Sequence, residues 1–134
     1  SNAFVARNMG AVNVDEKHVG TVDLDQLKLA AGILYPPKVT VAYSTGSQKY
    51  TFEQEMQGEE DGFALQDDRV YGVLYETVLE RARLVTLRDR GESGSTSYAL
   101  PEDWNNENVK AYCFATSKNG RQASDSRVLT LGES

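Results

Sequence analysis

Few residues of this chain could carry chemistry: one cysteine, one histidine and two short acidic clusters. Cys113 lies inside "VKAYCFATS", an alternating run. A nucleophilic cysteine must reach the thiolate, which needs a base or a positive field close by. The one histidine, His18, sits far off in the polar stretch "VDEKHVG" and reads as a surface or turn residue. One cysteine makes no intrachain disulfide, and one cysteine with one histidine builds no soft-ligand zinc site. The serines lack a G-x-S-x-G elbow to present one of them. The acids cluster in "GEEDG" (58–62) and "QDDR" (66–69). Glycoside hydrolysis asks for two carboxyls roughly 5–10 Å apart across a cleft, and calcium asks for several hard oxygens. The D-x-[DN]-x-[DN]-G loop is absent, so both clusters read as solvated loop charge. No catalytic residue, cofactor or metal is therefore expected. Seven tyrosines (35, 43, 50, 71, 75, 98 and 112) are the enriched side chain. They serve cross-strand packing, or, if exposed and coplanar in a groove, the stacking of sugars.

The elements that must position these residues are short. At 134 residues the chain suits one domain, large enough to bury a core without disulfide or metal. Ser1-Asn2-Ala3 reads as the remnant of a cleaved tag, so where the chain starts says nothing about export, and compartment stays open. Twenty acidic against fourteen basic residues leave a net charge of −6, without a compensating basic cluster, which disfavours nucleic acid. No apolar run approaches the ~20 residues that would span a bilayer, so no membrane insertion is expected.

From Lys38 onward, β-type runs alternate with turn signals: 38–44, 48–54, 69–78, 83–89, 95–100, 108–117 and 122–131. The acidic, glycine-containing 56–68 reads as a long loop. Asn119-Gly120 marks a tight hairpin with Gly120 at positive φ, pairing 108–117 antiparallel with 122–131. Residues 73–87 also carry a near-helical spacing (Leu74, Val78, Ala82, Val85). The β-branched Val73, Thr77, Val78, Val85 and Thr86 favour strand–turn–strand instead. Tyr35-Pro36-Pro37 forces an extended connection and marks a boundary.

From Thr96 to the end, the run "TSYALPEDW", the alternating "VKAYCFATS" and the Gly120 hairpin resemble the last strands of a fibronectin type III module. Phe52 stands where that family has its early core tryptophan, and Trp104 stands in for the leucine that plugs the sandwich bottom. The chain also resembles a family of uncharacterised Bacteroidetes proteins, over nearly all of 4–131, in "VDLDQLKLAAG" and in "LPEDW…VKAYCFATSKNGRQASDSRVL". Members of that family usually carry a further N-terminal segment, so this chain is expected to be part of a longer protein. The family has no assigned activity, and the resemblance bears on fold alone.

The expected fold is all-β: a fibronectin type III-like (immunoglobulin-like) antiparallel sandwich of about seven strands over 36–131. The segment 4–35 is expected to pack on it, and 132–134 form a tail. Alternation points Val109, Ala111, Cys113 and Ala115 inward and Tyr112 and Phe114 outward. Tyr71, Val73 and Tyr75 are read as core, which turns Val70 and Leu74 outward beside Tyr112 and Phe114. An apolar outer face of that size needs covering, by 4–35 (Phe4, Val5, Val12, Val14, Val22, Leu24), by a partner protein or by a second copy. Trp104 is expected buried, with its indole N–H on a backbone carbonyl. The expected role is a non-enzymatic interaction or structural module of a larger bacterial protein or assembly. Carbohydrate binding through exposed tyrosines is the alternative, and a carboxylate hydrolase the third.

Overall fold

The computed structural model describes residues 34–57 and 62–133, together with the backbone of three two-residue strands before them. Those three are β1 (Asn13–Val14), β2 (His18–Val19) and β3 (Val22–Asp23). The sandwich is built from β4 (Val39–Ser44), β5 (Lys49–Gln54), β6 (Arg69–Glu76), β7 (Arg81–Thr86), β8 (Gly94–Ala99), β9 (Val109–Thr116) and β10 (Arg127–Leu129). A 3-10 turn, η1 (Asn106–Asn108), precedes β9, and β11 (Leu131–Glu133) ends the described chain.

One sheet has the order β1-β7-β6-β9-β10 and the other β11-β4-β5-β8, with β2 and β3 pairing as a separate ribbon. The seven strands β4 to β10 pair antiparallel within each sheet, while β1 on β7 and β11 on β4 add parallel edges. This is the expected all-β sandwich of about seven strands in two sheets. The region 73–87 is strand–turn–strand. Its turn closes when the Glu80 N–H donates to the Glu76 carbonyl, with Glu80 at φ 55°. The β4–β5 connection repeats the device, the Gln48 N–H on the Ser44 carbonyl with Gln48 at φ 54°.

The layer between the sheets is filled by Val39, Val41, Tyr43, Tyr50 and Phe52 from one side. Val70, Leu74, Val85, Val109, Ala111, Cys113 and Leu129 meet them from the other. Here the expected phase of β6 is corrected: Val70 and Leu74 face inward, and Tyr71, Val73 and Tyr75 face out. Register shows why. Directly opposed residues share a face, and β6 sets Val70, Gly72 and Leu74 against Ala115, Cys113 and Ala111. Gly72 locks this phase, because a Cβ there would lie 2.7 Å from Cε2 of the Phe52 ring. The space a side chain would need is occupied by that ring.

The end hairpin forms as expected at its turn, with the Gly120 N–H on the Ser117 carbonyl and Gly120 at φ 74°. Beyond it, the single strand expected over 122–131 is broken. Ala123 bridges Thr116, yet Arg127 stands opposite Cys113, so one extra residue is absorbed between them. Ser124 makes the bulge, its Oγ accepting from the Ala115 N–H while its own N–H donates to the Ala115 carbonyl. After Leu129 the chain leaves this sheet, and Leu131–Glu133 joins the other one beside β4.

Candidate interaction surface and buried polar clusters

The outer face of the five-stranded sheet is apolar over three strands. Tyr71 opposes Phe114, Val73 stands between Leu84 and Tyr112, and Tyr75 opposes Ala82. The Tyr71 and Phe114 rings stack, with centroids 5.2 Å apart and planes inclined by 29°. Of the four residues expected to form an outward patch, Tyr112 and Phe114 belong to this face, while Val70 and Leu74 lie on the opposite side of the sheet in the inner layer. Tyr71, Val73, Tyr75, Leu84, Tyr112 and Phe114 are each at most 8% exposed within the single chain. Burial pushes the Tyr71, Tyr75 and Tyr112 hydroxyls above their ordinary pKa, so these rings stay neutral.

Cys113 faces the inner layer, fully buried, with Sγ 4.0 Å from the Pro37 carbonyl oxygen. Burial pushes its thiol up to about 12, against a small downward pull from Arg127. The thiolate required of a nucleophile is therefore disfavoured at neutral pH. The His18 side chain lies outside the described residues. Native Cys113 is expected to resist thiol reagents until the protein unfolds. Cys113→Ser is expected to cost about 1–3 kcal/mol by burying a hydroxyl in an apolar site. Labelling timed against global unfolding, and urea melts of the variant, check both expectations.

The acidic clusters divide. Of 58–62, all but Gly62 lie outside the described residues. In 66–69, Asp68 is not the solvated loop acid expected from sequence: it is fully buried and ion-paired. Its Oδ2 accepts from Arg90 Nε at 2.8 Å and from the Leu65 N–H at 2.9 Å. Arg90, also buried, donates from Nη1 to Gln57 Oε1 at 3.0 Å and from Nη2 to the Tyr35 carbonyl at 2.7 Å. Backbone bonds run alongside, from the Arg90 N–H to the Asp68 carbonyl and from the Gln57 N–H to the Arg90 carbonyl. One guanidinium thus joins the chain entering β4, the end of the β5 extension, the loop before β6 and the loop after β7.

Glu76 closes the other end of β6. Its Oε1 accepts from the Val78 N–H at 2.7 Å and the Leu79 N–H at 3.1 Å, and Oε2 accepts from the Asn105 N–H at 3.4 Å. Burial alone would raise its pKa. The N–H donors of Leu79, Val78 and Asn105, with the Asn108 side chain, outweigh that and hold it below the ordinary carboxylate value. A carboxyl with a lowered folded-state pKa contributes stability above its unfolded pKa, and that contribution is lost as pH falls through the folded value. Glu76→Gln is therefore expected to lose about 1–3 kcal/mol at neutral pH. The gap to wild type should narrow as pH drops below the ordinary glutamate range, read from urea melts across pH.

Neither buried cluster was visible from residue type or spacing, since Gln57, Asp68 and Arg90 meet only through three separate loops. Among the described residues, no group of three or more His, Cys, Asp or Glu side chains could hold a metal ion. An open groove of about 370 Å³ runs between the start of β4, the end of β5 and Arg127, lined by Lys38, Thr40, Glu53 and Glu55 among others. It holds no tyrosine. Tyr43, Tyr50, Tyr71, Tyr75 and Tyr112 are buried, and Tyr98 packs on the inner layer. Tyr35 is 37% exposed and meets Phe63 at 6.0 Å with planes 45° apart. Among the described residues there is no coplanar, exposed tyrosine pair of the kind sugar stacking asks for. No helix among the described residues is long and apolar enough to cross a membrane.

No protein-family model and no curated protein matches the chain. Among solved structures, it is similar to the adhesin domain of Epf from Streptococcus pyogenes, at 14% sequence identity and a TM-score of 0.44. The match covers 76% of this chain and 34% of that one, so the chain spans about a third of that structure's length. A likeness this distant assigns no role.

Proposed function

We propose that this domain is a non-enzymatic interaction or structural module of a larger protein. The observation that supports this reading is how its buried ionisable groups are used. Glu76 is spent on backbone N–H groups, Asp68 and Arg90 on each other and on loop carbonyls and amides, and Cys113 on the core. Catalytic groups are usually held so that a perturbed acid or base faces a cleft. These face scaffold. Membership of the Bacteroidetes family, with its "LPEDW" and "SKNGRQASDS" ending, belongs to the same proposal and is consistent with a module that carries structure.

The groove beside Arg127 is where the opposite reading would have to act, with Glu53 and Glu55 as its carboxylates. The test is a panel of chromogenic ester, glycoside and phosphate substrates given to the purified chain, beside a glycan array. The expected result is no turnover and no glycan bound. Turnover that co-purifies with the protein and disappears in Glu53→Gln or Glu55→Gln would overturn the proposal. Glycan binding would return the carbohydrate reading at a site other than a tyrosine platform.

A further inference from the structure

We propose that the free edge of β8 is a docking surface for a second copy of this chain, the two β8 strands pairing antiparallel about a two-fold axis at Ser97. The other edges of the sandwich are closed or short. β7 carries β1 on its outer side, β4 carries β11, and β10 is three residues long. β8, six residues from Gly94 to Ala99, pairs with β5 alone among the described residues. The Leu100 N–H donates to the Gln48 carbonyl, so the even-numbered positions of β8, in phase with it, bond to β5. By antiparallel alternation, the N–H and C=O groups of Ser95, Ser97 and Ala99 point away from β5. All three residues are exposed. Natural edges are blunted by Lys, Pro, a bulge or a cover. Gly94–Ala99 holds no charge and no proline, and its register with β5 runs without a bulge.

A second copy fits this edge best in one register. With Ser97 facing its own counterpart, Ser95 faces the partner's Ala99, and the free groups of all three residues find partners. A shift by two residues leaves one of the three beyond the end of the other strand. On the outer face the side chains brought together are small. Behind them β5 carries Glu53 beside Ser95 and Lys49 beside Ala99, both exposed. The two-fold therefore lines Glu53 up with the partner's Lys49, roughly 14 Å apart at the backbone, a gap the two long side chains narrow over the small residues between them. Opposite charges meet in this way in both halves of the contact. On the inner side, Thr96 stands opposite the partner's Tyr98, a favourable pairing of a β-branched residue with an aromatic. One strand per copy is a small contact, which suits a reversible dimer.

Sedimentation velocity of the full chain at low ionic strength, over a wide range of concentration, tests the pairing. The expected result is a monomer–dimer equilibrium whose dissociation constant rises about tenfold or more in Ser97→Lys, which sets like charges opposite each other on the axis. The Ser97 N–H is not used by β5, and the residue is exposed, so this variant should melt as the wild type does. Glu53→Lys should weaken the dimer several-fold, and adding Lys49→Glu to the same chain should restore it, since the swap lines opposite charges up again. A monomer at every concentration overturns the proposal. So does a dimer that Ser97→Lys leaves intact, which would put the contact on another surface. Failure of the charge swap to restore the dimer overturns the axis at Ser97.

Discussion

Arg90→Met is expected to destabilise the domain by about 3–5 kcal/mol, the range for leaving one member of a buried ion pair without its partner. Asp68 is fully buried, and removing the guanidinium strips Oδ2 of its closest donor. Oδ1 already has no hydrogen-bond partner among the described residues, so the carboxylate has little in reserve. Gln57 Oε1 and the Tyr35 carbonyl lose their donor in the same step. Set against the 5–15 kcal/mol typical of whole domains, this is a large fraction. Urea melts should show the midpoint falling, and the melting temperature should drop by roughly 10–20 °C. Arg90→Lys should recover only part of the loss, since an ammonium cannot reproduce the three directed bonds of the planar fork. Removing both charges with an apolar pair, Arg90→Met with Asp68→Leu, should cost less than Arg90→Met alone. A variant with unchanged stability would show that the pair contributes nothing.

Trp104→Ala is expected to cost a similar amount, about 3–5 kcal/mol, through lost burial and the cavity left behind. The indole is 5% exposed and belongs to the inner cluster, at the end where the chain turns from β8 toward β9. The Trp104 N–H on the Pro101 carbonyl sets that turn. The Arg83 guanidinium lies 5.4 Å from the ring centroid, a cation–π arrangement worth about 0.5–1 kcal/mol or more. The expected bond from the indole N–H to a carbonyl is not formed: Nε1 has no acceptor among the described residues. That correction changes what a milder substitution does. Trp104→Phe keeps most of the ring and removes a donor that has no partner to lose, so it should cost well under half as much as Trp104→Ala. Circular dichroism melts of both variants decide this, because the single tryptophan is also the fluorescence probe of the wild type. Equal losses in the two variants would show that the N–H matters after all.

Much of the sandwich was legible because its signals are local. Alternating runs bounded by Gly, Pro and Asn located the first six strands of the sandwich to within a few residues, and positive φ at Gly120 followed from Asn119-Gly120 in a tight turn. Burial of Cys113 and Trp104 followed from alternation in β9 and from the large apolar ring beside a corner. What failed was not local. In β6, Val70, Tyr71, Val73, Leu74 and Tyr75 offer apolar residues to both faces, so alternation cannot say which set points inward. Only register against β9, and the Phe52 ring resting over Gly72, choose the phase, and a one-residue change of phase turns every side chain over. The bulge at Ser124 depends on a hydroxyl reaching the Ala115 amide across the hairpin. The ion pair needs Asp68, which charge patterning assigns to solvent, to be brought together with Gln57 and Arg90 and dried by the loops around them. Strand existence and turn chemistry are properties of neighbouring residues, so they can be read along the chain. Facing and desolvation are properties of what lies across a sheet or a loop, so only the packed chain decided them.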